Sequence, residues 1–216
     1  MDMQNSDNRL LVLGAGGHAK VVIDIARAAG WNPIATLDPI GVGHFCAEVP
    51  VLGNDDLAEN LFTDGLRFAV IALGSNSLRM HIGKNLLSIG YQCPVITHPS
   101  AIISQYVCIG DGTVIMPGAI INSDAHIGSF VIVNTGAIIE HDCKIGNGAH
   151  IAPRSVMGGN VEIGDMVLFG IGAVAKPEIT IEREAIIGAG SVVVSRIATG
   201  RTVVGVPALP RLKRSS

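Results

Sequence analysis

One short stretch combines the side chains best suited to acid–base chemistry in this chain. It reads Glu140-His141-Asp142, so a histidine lies between two carboxylates. A neighbouring carboxylate orients an imidazole and stabilises its protonated form, which is what a general base requires. A solvated surface histidine is the alternative interpretation. We take His141 as the candidate base and Asp142 as its partner.

Three histidines in the C-terminal half, His126, His141 and His150, raise the alternative of a metal site, since imidazole is a common metal ligand. Their separations are 15, 9 and 24 residues. Positions on one face of the repeat described below recur at multiples of 18, so these three do not form an aligned ladder. The sequence therefore predicts no metal.

Cys143 is the candidate for a covalent route, because a thiolate is a strong nucleophile. It follows Ile139 by four residues, which is the small, inward-packing position of the repeat, so a core position is favoured. The other cysteines, Cys46, Cys93 and Cys108, form no CxxC pair with it. This usage predicts a reducing, cytoplasmic location.

A glycine-rich turn suggests a second kind of chemistry. Gly14, Gly16 and Gly17 follow the apolar run LVLG and precede KVVIDIARAAG, whose apolar spacing predicts a helix. Glycines at a strand-to-helix turn let a phosphate approach backbone N–H groups at the positive helix end. A tight turn without a ligand is the alternative. His18 is either a first-turn surface residue or a ligand contact.

Residues 1–92 show the strand–helix alternation of a small α/β unit with a parallel sheet. Gly14, Gly16 and Ala19 satisfy G-x-G-x-x-A, and Asp38 lies where a ribose-binding acid belongs. An NAD-dependent dehydrogenase is therefore an alternative. The unit is too short for a two-halved dinucleotide domain, however, so a mononucleotide or nucleotide sugar fits better.

Residues 103–197 follow a six-residue repeat. Every sixth residue from Ile103 to Val193 is apolar, and a small or β-branched residue usually follows four places later. This period is typical of a hexapeptide β-helix, in which three hexapeptides form one coil. We expect the glycine that often follows the large apolar residue, and Asn122 and Asn134, to serve turns with positive φ. Segment 93–102 is expected to be a linker, and 198–216 a tail.

The composition of the 216 residues agrees with such a scaffold. Apolar residues make up 48%, but aromatic residues only 4% and charged residues only 15%, with 27 glycines. Despite a mean hydropathy of +0.47, no apolar run is long enough to cross a membrane. The net charge of −3 argues against nucleic-acid binding. The basic end with Arg211, Lys213 and Arg214 is expected to be a solvated tail.

Four segments together resemble the left-handed β-helix acyltransferases, and within them the nucleotide-sugar N-acetyltransferases. They are GAGGHAKVV, His98-Pro99-Ser100-Ala101, IIEHDCKIGNGAHIA and VVGVPA, and the similarity extends from about Leu10 to Ala208. The resemblance implies an α/β nucleotide-sugar unit followed by an all-β parallel β-helix. It also implies acetyl transfer from acetyl-CoA to a 4-amino-4,6-dideoxy sugar, without a metal, in a homotrimer.

The resemblance assigns roles to individual residues. His141 is similar to the family's catalytic base, with Asp142 as its acidic neighbour. The implied acetyl-CoA contacts are His150, Gly159, Ile171 and Ala189, with the Gly159 amide as the leading oxyanion donor. The implied nucleotide-sugar contacts are Gly16, Gly17, His18, Asp38, Gly74 and Asn134.

This chain departs from the family pattern at one position that concerns the choice of nucleotide. Relatives seen with UDP often have a second acid after Asp38, where this chain has Pro39. GDP-perosamine is therefore the first candidate acceptor, with a UDP-linked amino sugar and sialic-acid-type O-acetylation as alternatives. A nucleotide-binding structural β-helix protein is the non-enzyme alternative. Because His141 and His150 are half a coil apart, a site that uses both would form between subunits.

Overall fold

A five-stranded sheet organises the N-terminal unit of this computed structural model, which describes residues 8–210. Its elements are β1 (Arg9–Leu13), α1 (Gly17–Ala28), β2 (Asn32–Leu37), β3 (Phe45–Cys46), β4 (Val49–Gly53), a 3-10 turn (Asp55–Leu57), α2 (Ala58–Thr63), β5 (Phe68–Ile71) and α3 (Asn76–Ile89). The strand order is β3-β4-β2-β1-β5, and all pairs are parallel except β3 with β4. The predicted basic tail with Arg211, Lys213 and Arg214 lies outside the described residues.

The helices form where local sequence provides apolar faces and ends. The buried positions of α1 recur at intervals of one to three residues, which covers one side of the helix. The Ser75 side chain caps α3 by accepting from the Leu78 amide, and Gly90 ends the helix with φ 113°. Helix α3 therefore has a defined beginning and a defined end in the local sequence.

Three sheets form the sides of a β-helix, and their strands pair in parallel except Thr202–Val204 with Leu209–Pro210. The docking face contains the strands Ile96–Thr97, Val114–Ile115, Ile132–Val133, His150–Ile151, Leu168–Phe169, Ile186–Ile187, Thr202–Val204 and Leu209–Pro210. The aliphatic face contains Ile102–Ile103, Ile120–Ile121, Ile138–Ile139, Val156–Met157, Val174–Ala175 and Val192–Val193. The polar face contains Cys108–Ile109, His126–Ile127, Lys144–Ile145, Glu162–Ile163 and Thr180–Ile181.

Neighbouring strands of a face are one coil apart, so Ile120 pairs with Ile138 and Ile138 pairs with Val156. The second residue of each strand from Val114–Ile115 to Val192–Val193 points inward, and these hexapeptide residues fill one continuous core. The predicted α/β unit followed by a parallel β-helix is confirmed. The stacked strands extend into both flanking segments, with Ile96–Thr97 within 93–102 and Thr202–Val204 within 198–216.

The turns differ from the expectation in one respect. Positive φ occurs three residues after the large apolar position at every turn from Gly112 to Gly190, and non-glycine residues such as Phe130 and Asp142 adopt it too. Asn122 and Asn134 precede that position by two residues and are not among the residues with positive φ. The expectation that they supply this conformation was therefore wrong.

The glycines directly after the large apolar residue serve another purpose. A Cβ on Gly146 or Gly164 would come within 2.4 Å of a backbone nitrogen of the next coil. Neither glycine has positive φ. Glycine at this position therefore permits close stacking of coils and is not required for an unusual backbone conformation, which corrects the sequence-based interpretation.

The N-terminal unit packs on the docking face. Val114 and Ile132, which point outward from that face, are buried in one cluster with Val22 and Ile25 of α1. The Phe130 ring lies against Gly83 of α3, where an added Cβ would be 2.6 Å from ring atom Cε1. Within residues 8–210, no helix has the length and apolar character needed to span a membrane.

Candidate active site

Apart from His150, which lies in a strand of the docking face, the functional candidates of the β-helix lie at its corners. The His141 corner lies between the aliphatic and polar faces and comprises the stacked segments 122–124, 140–142, 158–160 and 176–178. The Asn134 corner lies between the docking and aliphatic faces and comprises 116–118, 134–136, 152–154, 170–172 and 188–190. The Gly148 corner lies between the polar and docking faces and comprises 128–130, 146–148 and 164–166.

His141 and Asp142 form an exposed pair at the His141 corner. The distance from His141 Nδ1 to Asp142 Oδ2 is 2.7 Å, and the side chains are 62% and 58% exposed. Because a carboxylate only accepts, Nδ1 donates, which leaves Nε2 unprotonated in the neutral ring. The hydrogen bond that His141 donates to Asp142 raises the pKa of His141, and the charges of Asp142 and Glu140 act in the same direction.

The His141 ring lies over Gly159 of the next coil. A Cβ on Gly159 would be 2.5 Å from Cε1 and 2.6 Å from Nε2 of the imidazole. Glycine therefore makes the space in which the ring lies. The Gly159 amide has no hydrogen-bond partner within residues 8–210, so a donor is available beside the candidate base.

Glu140 is held by a residue that sequence reasoning did not assign to the site. Asn122, one coil below, donates from Nδ2 to Glu140 Oε2 at 2.9 Å. This bond fixes a carboxylate that contributes to the charge around His141. The 18-residue spacing of Asn122 and Glu140 was the available signal, because equivalent positions of successive coils stack.

A second group of candidates meets in a cleft between the docking face and the N-terminal unit. Asn134 Nδ2 lies 3.0 Å from His150 Nε2, and the backbone of Gly74 also hydrogen-bonds His150. The ring centroids of His18 and His150 are 6.5 Å apart. The structure thus brings together four of the predicted contacts: His18, Gly74, Asn134 and His150.

Both cleft imidazoles are neutral near pH 7. Burial, and secondarily the positive charge of Arg79, lowers the pKa of His18 to about 4. Burial, Arg79 and His18, in that order, lower the pKa of His150 to about 4. His18 Nε2 is buried without a hydrogen-bond partner among the described residues, which leaves an unsatisfied polar atom beside His150.

The glycine-rich turn has features of both predicted alternatives, a tight turn and a phosphate-binding turn. Gly14 has φ 108°, and a Cβ there would lie 2.9 Å from the Ala72 carbonyl oxygen, so this glycine is needed for the turn itself. By contrast, a Cβ on Gly16 or Gly17 would meet nothing within 4 Å. No side chain caps α1, so its first amides remain open to an anion.

Asp38 connects two loops beside this turn. Its Oδ2 accepts from the Ala15 amide and its Oδ1 from the Ile40 amide, both at 2.8 Å. The carboxylate therefore fixes the position of the glycine-rich turn, in addition to the predicted nucleotide-sugar contact, and it stays only half-buried.

The remaining acetyl-CoA candidates lie at the Asn134 corner. Ile171 and Ala189 stack one coil apart, and Ile171 is 60% exposed. Neither amide has a hydrogen-bond partner within residues 8–210. Gly159 belongs instead to the His141 corner, so the candidate cofactor contacts occupy two corners separated by the aliphatic face.

The histidines and cysteines support no other site in the described part of the chain. No group of three His, Cys, Asp or Glu side chains within residues 8–210 is arranged to hold a metal ion. Cys143 is fully buried in the β-helix core, and its Sγ donates to the Gly158 carbonyl oxygen at 3.3 Å. Burial also raises the pKa of the Cys143 thiol, which disfavours the nucleophilic thiolate.

Two domain families match the chain. Residues 9–86 match the PglD N-terminal domain, and residues 124–159 match the bacterial transferase hexapeptide family. A GDP-perosamine N-acetyltransferase of Escherichia coli O157:H7 is 34% identical over 75 residues, which cover 35% of this chain and about a third (34%) of that relative.

Solved structures match almost the whole chain. A histidine-to-asparagine variant of perosamine N-acetyltransferase from Caulobacter crescentus, in complex with CoA and GDP-perosamine, is 37% identical, with TM-score 0.93 and coverage of 94% of this chain and 97% of that one. The acetyltransferase domain of PglB from Neisseria gonorrhoeae, in complex with acetyl coenzyme A, is 36% identical, with TM-score 0.91 and coverage of 95% and 100%.

Proposed function

Since this chain belongs to the hexapeptide-repeat sugar N-acetyltransferases, we propose that it acetylates the C4 amino group of a nucleotide-linked 4-amino-4,6-dideoxy sugar, with acetyl-CoA as donor. GDP-perosamine is the first candidate acceptor, because two similar proteins carry that substrate in their names or complexes. The observation that carries the proposal is the exposed His141–Asp142 pair lying over Gly159 and its free amide.

The transfer is a direct attack in a ternary complex. The neutral sugar amine attacks the thioester carbonyl carbon, and His141 Nε2 takes the proton that the nitrogen loses. The Gly159 amide donates to the oxyanion of the tetrahedral intermediate. The C–S bond then breaks, and the proton on His141 passes to the departing CoA thiolate. Asp142 keeps the imidazole in the required tautomer throughout.

The N-terminal unit and the docking face hold the acceptor in this proposal. The amides of Gly16 and Gly17 face the diphosphate, while Asp38, His18, Gly74 and Asn134 line the remainder of the cleft. This assignment divides the chain into a nucleotide-sugar unit at 1–92, a connecting segment at 93–102, an acetyltransferase domain at 103–197 and a tail at 198–216. His150, Ile171 and Ala189 contact acetyl-CoA.

The active form is a homotrimer. All six outward residues of the aliphatic face are Ile or Val, and Ile102 and Val174 remain 65% and 39% exposed in the single chain. Such a patch marks an association surface. Because the His141 and Asn134 corners flank this face, covering it with a neighbouring chain places both corners at subunit boundaries.

The cysteines have no catalytic role in this mechanism. Cys143 is core, and all four cysteines are free thiols, in keeping with the reducing cytoplasm where we place the enzyme. Direct transfer also needs no acyl-enzyme, because two bound substrates already hold the reacting atoms together.

A thiol-release assay tests the proposal. The protein is incubated with acetyl-CoA and with GDP-, UDP- and dTDP-linked amino sugars, each paired with its hydroxyl analogue. We expect release with an amino sugar and none with its analogue, and a loss of about 10²-fold or more in His141→Asn. The surface variant His126→Asn is the matched control, because His126 lies on the polar face. Normal turnover by His141→Asn would refute the assigned base.

A further inference from the structure

Arg79 is a buried arginine that joins the two halves of the candidate cleft. It belongs to α3 and is 1% exposed. Nε donates to the Phe130 carbonyl oxygen at 2.8 Å, Nη1 to that of Leu73 at 2.9 Å, and Nη2 to that of Gly148 at 2.8 Å. Its other acceptors are Asn76 Oδ1 at 2.8 Å and the carbonyl oxygens of Ala149 at 3.3 Å and Gly74 at 3.4 Å.

The charge of Arg79 has no carboxylate partner among residues 8–210. Backbone and amide oxygens alone satisfy its donors, and burial lowers its pKa to about 10, so it stays charged at pH 7. A buried charge without an ion pair is costly, and an apolar residue of similar size would avoid that cost. The presence of arginine at this position therefore indicates that its hydrogen bonds and its charge are needed there, and not only its volume.

The acceptors of Arg79 lie on both sides of the cleft. Leu73 and Gly74 belong to the loop after β5, and Gly74 contacts the His150 ring. Gly148 and Ala149 directly precede His150 on the β-helix. We propose that Arg79 is a positioning residue, which fixes the Gly74 loop against the His150 strand and so sets the geometry of the acceptor cleft.

The charge of Arg79 has a second consequence for the same cleft. It disfavours protonation of both His18 and His150, whose pKa values burial already lowers. Among residues 8–210, the charged or titratable groups that act on His150 are Arg79 and His18, and the one that acts on His18 is Arg79. A neutral His150 retains Nε2 as an acceptor for Asn134 Nδ2.

Two substitutions separate the hydrogen bonds from the charge. Arg79→Lys keeps the charge, but a single ammonium group cannot reach the carbonyl groups of Phe130, Leu73 and Gly148 together. Arg79→Gln removes the charge and keeps an amide donor. Arg27→Gln is the matched control, because Arg27 is exposed and donates to Ala47 within the N-terminal unit.

The experiment combines imidazole titration by NMR with acceptor kinetics, after thermal melts have shown which variants fold. In Arg79→Gln we expect His18 and His150 to titrate about one pH unit higher, whereas Arg79→Lys keeps the native titration. The acceptor KM rises about tenfold in both Arg79 variants and is unchanged in Arg27→Gln. If Arg79→Gln does not fold, the KM of Arg79→Lys decides the positioning role.

Native titration in Arg79→Gln would overturn the electrostatic role, and a native acceptor KM in Arg79→Lys would overturn the positioning role. The kinetic measurement rests on the proposed acetyl transfer, but the titration does not. A protein that turns over no amino sugar, yet shows the shifted imidazoles, would therefore contradict the proposed function and not the effect of Arg79 on the cleft.

Discussion

Replacing Gly159 by alanine tests whether the base must lie where the structure places it. The new Cβ would be 2.5 Å from His141 Cε1 and 2.6 Å from Nε2. Carbon atoms in contact are about 3.5 Å apart or more, so the ring has to move by about 1 Å. A displacement of this size in a reacting group costs about 10²-fold in rate. The backbone amide stays in place, so the variant tests ring position separately from oxyanion binding.

The same substitution should hardly affect stability. The His141 side chain is 62% exposed, so it can rotate into solvent without opening a cavity. Gly164→Ala is the matched control, because its Cβ would meet the backbone nitrogen of Arg183 at 2.4 Å, and a backbone atom cannot rotate away. We expect this control to lose about 1–3 kcal/mol of unfolding free energy while its folded fraction keeps normal kcat.

The assay measures thiol release and Tm for both glycine variants. Gly159→Ala should lower kcat about 10²-fold with a Tm close to that of the native protein. Gly164→Ala should lower Tm and keep the native kcat. Native kcat in Gly159→Ala, with His141 still over residue 159 in a crystal structure, would refute the argument. An equal loss of kcat in both variants would also refute it, because general destabilisation would then explain the effect.

Three further results are expected. Asp142→Asn replaces the charged acceptor that raises the pKa of His141 by a neutral one. The acid limb of kcat/KM, where the base becomes protonated, should therefore move to lower pH, and an unmoved limb would contradict the pairing. Burial lowers the pKa of His150 from 6.5 to about 4 in the folded protein, so this residue lowers the unfolding free energy by up to about 3 kcal/mol as pH drops from 6.5 to 4. His18 makes a similar contribution of its own. Urea melts at both pH values should show a smaller fall in His150→Gln, and an equal fall would contradict the burial of a neutral ring. Val156→Lys on the aliphatic face should dissociate the proposed trimer in sedimentation experiments, whereas Thr180→Lys on the polar face should not.

The repeat made the β-helix core predictable because one physical requirement recurs every six residues. Each inward position admits one aliphatic side chain, so the register from Ile103 to Val193 follows from counting, and Cys143 falls inside for the same reason. The turns were less predictable, because glycine satisfies two different needs. At Gly146 it permits close coil stacking, whereas positive φ is adopted even by Phe130, whose ring is held by packing on α3.

Some features of the candidate site could likewise be predicted from the sequence, and others could not. His141 and Asp142 are neighbours in sequence, so their pairing could be expected, and the stacking of Gly159 on His141 follows from an 18-residue spacing. Arg79 was not expected, because all but one of its acceptors are backbone carbonyl groups, which every sequence provides. Its role depends on how the N-terminal unit packs on the docking face, and the repeat carries no information about that packing.

The separation of the corners predicts the outcome of a mixing experiment. If His141 of one subunit acts with Asn134 of another, His141→Asn and Asn134→Ala variants are each inactive as homotrimers, but a mixed trimer contains sites with both native residues. Random assembly from equal amounts makes about a quarter of the sites intact. If both residues of a site came from one chain, no mixed trimer would have an intact site. We therefore expect co-refolded variants to recover about a quarter of native kcat, and no recovery, with mixed trimers verified by mass, would refute a site shared between subunits.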